Sequence, residues 1–348
     1  MLWGQDSIAW TDLRHYFPVQ DVSFIAREQV SDFKVIEQLG WNFSNDGCHT
    51  WLWIEKVNMS TNSARKNVAQ FFGLPIRDIG YSGLKDFRAI AYQWLSLPWE
   101  TKLNPPITIN GGLKILDYFR HKKKCRVGVH KRNKFEIRLK GIFDKTSIKR
   151  LKKISTFGVP NYFGPQRFGK NGNNILSALK SSKTSISARR FFKMKNTILA
   201  SAARSAGFNA VLNEHLNYYD LLHVESGDIV NLNATNSTFA VEHNDLEDVR
   251  QRVYCGDIHP TGPLAGLLKL TIGNQDRNEK KCLLKDPFLY PWLCSLFNKE
   301  ERRPLRVIPE DLSWEFFDNG LEIRFSLNRG SFATSVIREL GITKLYGQ

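Results

Sequence analysis

Residues 80–94 read GYSGLKDFRAIAYQW, and this stretch decides how the first half of the chain is interpreted. Upstream, apolar side chains recur at helical spacing until Gly73 and Pro75 end the pattern. Downstream, apolar residues alternate with smaller or polar ones over residues 89–94, which is the period of a half-buried strand. The order helix, loop, strand therefore places Asp86 on a loop, a common position for catalytic side chains. An ordinary solvated turn residue would have the same local pattern.

The positive charge of the chain is concentrated in one segment. The formal net charge is +16 over 348 residues, and the 40 residues from Lys114 to Lys153 contain 16 Lys and Arg against three acids, or +13. Aromatic residues such as Tyr118, Phe119 and Phe135 are interleaved with these cations. Phosphates pair with cations, and unstacked bases stack on aromatic rings, so this mixture predicts an RNA partner. The alternatives are a charged surface that only confers solubility, or affinity for anionic lipid.

Other patterns exclude several classes of protein. An apolar run of about 18 residues, which a membrane-spanning helix requires, is absent from the sequence, and the first ten residues do not resemble a signal peptide. The eight His show neither HxxxH nor HExxH spacing, so we expect no metal. Five scattered cysteines without a CxxC pair predict reduced thiols in a cytoplasmic protein: Cys48, Cys125, Cys255, Cys282 and Cys294.

The order of the predicted elements indicates two domains. In the strand predicted at 134–140, apolar residues from Phe135 to Leu139 alternate with charged ones, which predicts a sheet with one packed face and one wet, basic face. The middle of the chain differs, with a helix over 187–219 broken near Gly207 and irregular structure over 227–300. We therefore expect one α/β domain that is built from both ends of the chain and interrupted by a second domain. The predicted strands are 31–37, 50–57, 89–96, 134–140 and 321–327.

Residues 80–94 resemble the nucleophile motif of the TruD family of tRNA pseudouridine synthases, which is built around G-x-K-D and ends in Q-W or Q-Y. Three further blocks stand in the family's order: SDFKVIE at 31–37, VPNYFGPQRFG at 159–169 and GSFATSVIREL at 330–340. The resemblance implies an α+β pseudouridine-synthase fold with an antiparallel or mixed sheet. It divides the chain into a catalytic domain of residues 1–158 and 307–348 and a TRUD insertion domain of residues 159–306.

The resemblance also implies an activity, the isomerisation of uridine to pseudouridine at position 13 in the D-arm of tRNA, notably tRNA for Glu. This reaction breaks the C1′–N1 bond and joins C5 to C1′ without adding a group, so no cofactor is expected. An Asp carboxylate can serve as the nucleophile, and Asp86 matches that position. Arg27 could stabilise its charge, because burial alone disfavours an ionised carboxylate. Four residues match positions that bind the target uridine: Phe33, Asn133, Phe135 and Phe332.

Several alternatives remain open from the residues themselves. Each of these phenylalanines, taken alone, is more often a core residue than a pocket residue. Arg27 stands where the family usually has Lys, Phe87 where it usually has a basic residue, and Ala91 where it often has Thr. Glu37 falls on an acidic position of the family, and we interpret it as structural or pocket-supporting. A tRNA-binding protein or RNA chaperone without catalysis is the competing function, and a monomer is expected in either case.

Overall fold

The structure, a computed structural model, describes residues 10, 12–19, 22–98, 102–169, 172–183, 197–267, 279 and 281–345. The strands are β1 Ser23–Ala26, β2 Phe33–Gln38, β3 His49–Val57, β4 Gly80–Tyr81, β5 Ile90–Leu97, β6 Ile107–Asn110, β7 Leu113–His121, β8 Arg132–Gly141, β9 Val159–Pro160, β10 Ile229–Leu232, β11 Thr238–Ala240, β12 Ile258–Leu264, β13 Glu301–Pro304, β14 Arg306–Val307, β15 Glu310–Phe317, β16 Gly320–Asn328 and β17 Ile342–Leu345. The helices are α1 Thr61–Phe71, α2 Lys145–Phe157, α3 Asn173–Ser182, α4 Thr197–Tyr218, α5 Leu246–Cys255, α6 Leu289–Leu296 and α7 Ala333–Arg338.

A large mixed sheet organises both ends of the chain. Its strand order is β15-β16-β8-β2-β5-β3-β7-β6, and β1, β4 and β17 extend it at the side. Strands β2 and β5 are parallel, as are β1 and β17, whereas β8 lies antiparallel to both β2 and β16. The five strands predicted from the sequence correspond to β2, β3, β5, β8 and β16, with bounds within two residues. The predicted α+β class with a mixed sheet is confirmed.

Two helix-packed cores lie on one face of this sheet. Leu151 of α2 and Ile337 of α7 pack with the apolar side chains of β2, β8 and β16. Val68 of α1 packs with β3, β5 and β7. Ala91 belongs to the first core and Leu95 to the second, and residues four apart on a strand point to the same face. The two cores therefore adjoin along β5 on the same face of the sheet, and a polar site can form between their helices.

The middle of the chain builds a smaller sheet in the order β11-β10-β12-β13. The predicted break near Gly207 is wrong, because α4 runs without interruption from Thr197 to Tyr218. The cost of a helical glycine, about 1 kcal/mol relative to alanine, is offset here by burial of the helix around it, whose Ala206, Phe208 and Leu212 belong to a hydrophobic core. Residues 187–196 of that predicted helix lie outside the described residues.

The expectation of irregular structure over 227–300 is also wrong. This segment contains β10, β11, α5, β12 and α6. Strand β12 has the sequence IHPTGPL, whose prolines and glycine oppose a strand assignment, and its pairing with β10 and β13 overrides that local preference. The domain boundaries near 158 and 307 stay a prediction. No helix within the described residues combines the length and apolarity needed to cross a membrane.

Candidate active site

The carboxylate of Asp86 forms an ion pair with a buried arginine. Asp86 lies on the loop between β4 and β5, and Arg27 directly follows β1. Nη2 of Arg27 donates to Oδ1 of Asp86 at 2.9 Å, with side-chain exposures of 8% and 20%. The Arg27 guanidinium lies over the Phe33 ring, with Cζ 3.7 Å from the ring centroid. The backbone of Arg27 has φ +62°, a region in which non-glycine residues are uncommon and strained. Packing and the ion pair together hold this cation against the carboxylate.

A buried lysine fixes the main chain of the same loop. Lys56 is inaccessible to solvent, and its Nζ donates to the carbonyl oxygens of Met59 at 2.6 Å and Asp86 at 2.7 Å. Burial lowers the pKa of Lys56 to about 8, although the charge of Asp86 acts in the opposite direction. Lys56 therefore positions the residue that carries the carboxylate, and its own location is set by β3.

The residue before Asp86 enters a second buried ion pair. Nζ of Lys85 lies 2.6 Å from Oε2 of Glu37, and both side chains are almost completely buried. Burial raises the pKa of Glu37, and the charge of Lys85 opposes that shift. The backbone N–H of Lys85 donates to Oγ1 of Thr61 at the start of α1. Two consecutive residues, one anchored by its side chain and one by its main chain, thus define the loop.

His130 extends this network toward the predicted base-binding amide. Its Nδ1 lies 2.5 Å from Oγ of Ser82 and 3.9 Å from Oε2 of Glu37. Burial, followed by the charges of Lys85 and Arg329, lowers the pKa of His130 to about 3. The ring is therefore neutral near pH 7.

Asn133 lies at the end of the network. Its Nδ2 is 3.4 Å from Nε2 of His130, and Asn133 pairs with Glu37 in the register of β8 and β2. Oδ1 of Asn133 is buried, and no hydrogen-bond donor from the described part of the chain faces it. A buried acceptor without a partner is uncommon in folded proteins and marks a place where a ligand donor or water would fit.

The three predicted phenylalanines occupy different surroundings. Phe33 and Phe135 are core residues, 1% and 5% exposed, with ring centroids 6.0 Å apart. Phe332 is half-buried at the N-cap of α7, and its ring packs on Phe163 at 5.7 Å between centroids. The structure thus brings together Arg27, Phe33, Phe135 and the loop aspartate. It links Asn133 to them through Glu37 and His130, and it places Phe332 against the segment NYFG.

A basic cleft lies beside this network, between the large sheet and the smaller one. It has a volume of about 540 Å³, and its wall includes His130, Lys131 and Arg329 on one side and Arg303 and Asn236 on the other. The Arg303 guanidinium donates to Oδ1 of Asn161 and lies over the ring of Phe163, 4.0 Å from its centroid. The cleft therefore combines cations, amides and the start of the middle segment within reach of His130.

Sequence reasoning missed the anchoring roles of Lys56, Lys85 and His130. For Lys56 a signal was present, because it stands in phase with Leu52 and Ile54 on the apolar face of TWLWIEKV. A lysine on a buried face needs a polar partner, and that requirement points to a site. For His130 no comparable pattern exists. The interpretation of Glu37 as a supporting residue agrees with its pairing to Lys85.

Comparison with known proteins identifies the family. The family model described as tRNA pseudouridine synthase D (TruD) matches residues 16–176 and 173–340. The chain belongs to the TruD family. It is similar to the tRNA pseudouridine synthase D of Pseudoalteromonas atlantica, with 34% identity over 325 residues that cover 91% of this chain and 92% of the relative. It is also 36% identical to the tRNA pseudouridine synthase D of Proteus mirabilis over 317 residues, or 89% of each chain.

A solved structure shares the fold of this TruD family member. A crystal structure from Methanosarcina mazei, described as a candidate tRNA pseudouridine synthase D, superimposes with a TM-score of 0.68. The alignment covers 94% of this chain and 95% of that chain at 19% identity. The predicted family and the predicted enzyme class, an isomerase of the tRNA pseudouridine synthases, are confirmed.

Proposed function

We propose that this protein converts uridine 13 in the D-arm of tRNA to pseudouridine, with tRNA for Glu among its substrates and Asp86 as the nucleophile. The observation that carries the proposal is the ion pair between Asp86 and Arg27, 2.9 Å long. It lies on a loop that is fixed by the buried side chains of Lys56 and Glu37. A solvated turn residue would have no reason to lie against a strained, buried arginine. The alternative that Asp86 is an ordinary solvated turn residue is therefore disfavoured.

The chemistry requires an ionised carboxylate in a fixed place. Attack of Asp86 on C1′ of the ribose, or on C6 of the base, forms a covalent intermediate from which the base can be turned. In either case the C1′–N1 bond breaks, the base turns and C5 bonds to C1′. The carboxylate then leaves, the proton on C5 is released to solvent, and N1 of the base takes up a proton from solvent. Arg27 stabilises the carboxylate before attack and after departure. The reaction is an isomerisation that adds no group.

The surrounding residues suit a flipped uracil. Oδ1 of Asn133 can accept the N3–H of the base, which would satisfy a buried acceptor that has no protein donor among the described residues. Phe33 supports the Arg27 guanidinium from below, and Phe135 lies beside Phe33. We propose that the half-buried ring of Phe332 offers the apolar surface against which the base packs, and that Phe33 and Phe135, which are almost fully buried, support the pocket from the core.

The body of the tRNA would lie along the basic cleft. Lys131, Arg303 and Arg329 line it, and they belong to the two parts of the chain that the predicted domain division separates. We propose that residues 159–306 form the insertion domain and that the RNA lies between it and the catalytic domain. The five cysteines are free thiols, which supports a cytoplasmic location, and we propose that one chain is sufficient for the site.

The test uses tRNA tritiated at C5 of uridine. The native protein should release tritium stoichiometrically with modification, and Asp86→Asn should lower turnover by at least about a thousandfold, as removal of a nucleophile does in other enzymes. Asp245→Asn, which alters an exposed aspartate of the smaller domain, is the matched control and should leave turnover unchanged. Carbodiimide-blocked primer extension on tRNA for Glu should stop at position 13.

Each outcome bears on a different part of the proposal. Native protein that binds tRNA but releases no tritium would support the non-catalytic RNA-binding alternative. Turnover by Asp86→Asn equal to that of the native protein would remove Asp86 from the role of nucleophile. A primer-extension stop at another uridine would leave the chemistry intact and contradict the choice of position 13.

A further inference from the structure

Two large apolar side chains are exposed on either side of the candidate nucleophile. Leu84 is 70% exposed and Phe87 is 55% exposed, whereas Lys85 between them is 6% exposed and Ala89 is fully buried. Asp86 therefore stands between two apolar side chains that point into solvent. Exposed apolar side chains grouped beside a candidate site commonly mark a surface that contacts a ligand or partner.

This exposure does not come from a loosely held loop. Lys85 is fixed by Glu37, and the carbonyl of Asp86 is fixed by Lys56. On the far side, Nη2 of Arg88 donates to the carbonyl of Glu28 at 2.6 Å. Anchors on both sides of residue 87, a buried ion pair at Lys85 and a more exposed hydrogen bond at Arg88, hold its ring outward. A rigid loop that presents a ring costs little ordering entropy when the ring meets a partner.

We propose that Phe87 acts as a wedge that occupies the place in the RNA stack from which the target uridine is extracted. The inference rests on the proposed function, because it requires Asp86 to act on an extruded uridine. Removing a base from its stack leaves its neighbours without a stacking partner, at a cost of a few kcal/mol. An aromatic ring can replace the lost partner, since every base presents a π-face, and apolar side chains inserted between bases are a known means of opening a stack.

The location of Phe87 matches this role. It is the residue next to Asp86, so the ring is near the carboxylate that must meet the extruded nucleotide. Leu84 lies on the other side of the carboxylate and offers an apolar contact to the sugar or to the second neighbouring base. Phe87 is a positioning residue, because it acts on the neighbours of the target and not on the reacting atoms.

The test compares two forms of one tRNA whose modified uridine has first been mapped. In the first the target uridine has its normal partners, and in the second the nucleotide that pairs or stacks with it is replaced by an abasic site, so that extrusion is easier. Phe87→Ala should lower kcat/KM on the first RNA by about 5- to 150-fold, the range for loss of one base–aromatic stack. On the second RNA the same variant should lose much less.

A matched control separates the wedge from a general effect of removing an exposed ring. Phe71 is 50% exposed on α1, so Phe71→Ala deletes a similar ring elsewhere and should leave both RNAs unaffected. Phe87→Trp retains a stacking ring and should retain activity on the first RNA. Thermal unfolding of each variant verifies that it is folded.

The remaining outcomes are decisive. An equal loss on both RNAs would make Phe87 a simple binding contact and overturn the wedge, as would the absence of any loss on the first RNA. Failure of the native protein to release tritium from either RNA would instead overturn the proposed function, and the wedge with it. A loss confined to the RNA with the stacked uridine is the expected result.

Discussion

Replacing Lys85 with methionine should destabilise the protein by an amount that depends strongly on pH. Lys85 and Glu37 form an ion pair at 2.6 Å, with side-chain exposures of 3% and 0%. The substitution keeps much of the side-chain volume and removes the cation, so that Glu37 is left buried without its charge partner. Breaking a buried pair in this way typically costs about 3–5 kcal/mol.

Protonation of Glu37 limits that cost. The ordinary pKa of this carboxyl group is 4.5, which is 2.5 pH units below pH 7. At 1.36 kcal/mol for each unit, protonating it at pH 7 costs about 3.4 kcal/mol of free energy. At pH 5 the same step costs roughly 0.7 kcal/mol. We therefore expect Lys85→Met to lower the free energy of unfolding by about 3 kcal/mol at pH 7 and by less than about 1 kcal/mol at pH 5.

The sign follows from proton linkage. In the variant, burial raises the pKa of Glu37 in the folded state above its unfolded value, so the folded state binds more protons. The stability of the variant relative to the native protein is therefore recovered below about pH 4.5 and is lost as the pH rises through the folded pKa. Urea unfolding followed by tryptophan fluorescence at pH 5, 6 and 7 measures the difference.

Two further variants complete the experiment. Lys85→Met combined with Glu37→Gln removes both charges and should recover most of the stability at pH 7, because a neutral pair of similar volume leaves no buried charge. Lys122→Met breaks the ion pair of Lys122 with Asp46, whose side chains are 69% and 51% exposed, and should have no measurable effect. A loss of equal size at pH 5 and pH 7, or a double variant no more stable than Lys85→Met, would refute the reasoning.

Other predictions follow from the same geometry. Arg27→Met should lower kcat/KM on tRNA by about 10- to 150-fold, through loss of one charge-assisted hydrogen bond to Asp86, whereas Arg27→Lys should stay within about tenfold of native; equal effects would contradict a role for the charge. Gly83→Ala should destabilise the protein by about 1–3 kcal/mol in thermal unfolding, because the added Cβ would lie 2.9 Å from Cε1 of the buried His130 ring. Gly111→Ala, which has open space around it, should leave the stability unchanged. Burial lowers the pKa of His259 to about 3, so between pH 6.5 and 4.5 only the unfolded chain takes up its proton, and the native protein should lose stability relative to His259→Gln as the pH falls; urea unfolding at several pH values measures this difference, and a difference that does not change with pH would exclude this histidine.

The sequence by itself determined the regular elements of the large sheet and the position of the nucleophile loop. Alternation of period two is a local property, so β3, β5, β8 and β16 could be read from their own residues. Gly73 likewise marked the end of α1 within two residues. The segment around Asp86 was recognisable because its residue types and spacing lie within one short stretch.

The sequence suggested Arg27 as a partner of Asp86, but only the tertiary structure decided that the two side chains meet and which buried side chains hold the loop. Arg27 is 59 positions away in the chain, and its contact depends on how β1, β2 and β5 are arranged in the sheet. Lys56 and His130 reach the loop for the same reason. Strand order and register are set by the summed burial of two cores, which no short window of sequence contains.

In the middle segment, tertiary contacts override what the local sequence predicts. Gly207 and the prolines of β12 carry strong local signals for a break, and both signals were overridden by burial and by pairing with distant strands. Local preference is worth about 1 kcal/mol per residue, whereas a buried helix or a paired strand gains stabilisation from many contacts at once. The sequence thus specified the chemistry and its loop, and tertiary packing specified the environment in which that chemistry operates.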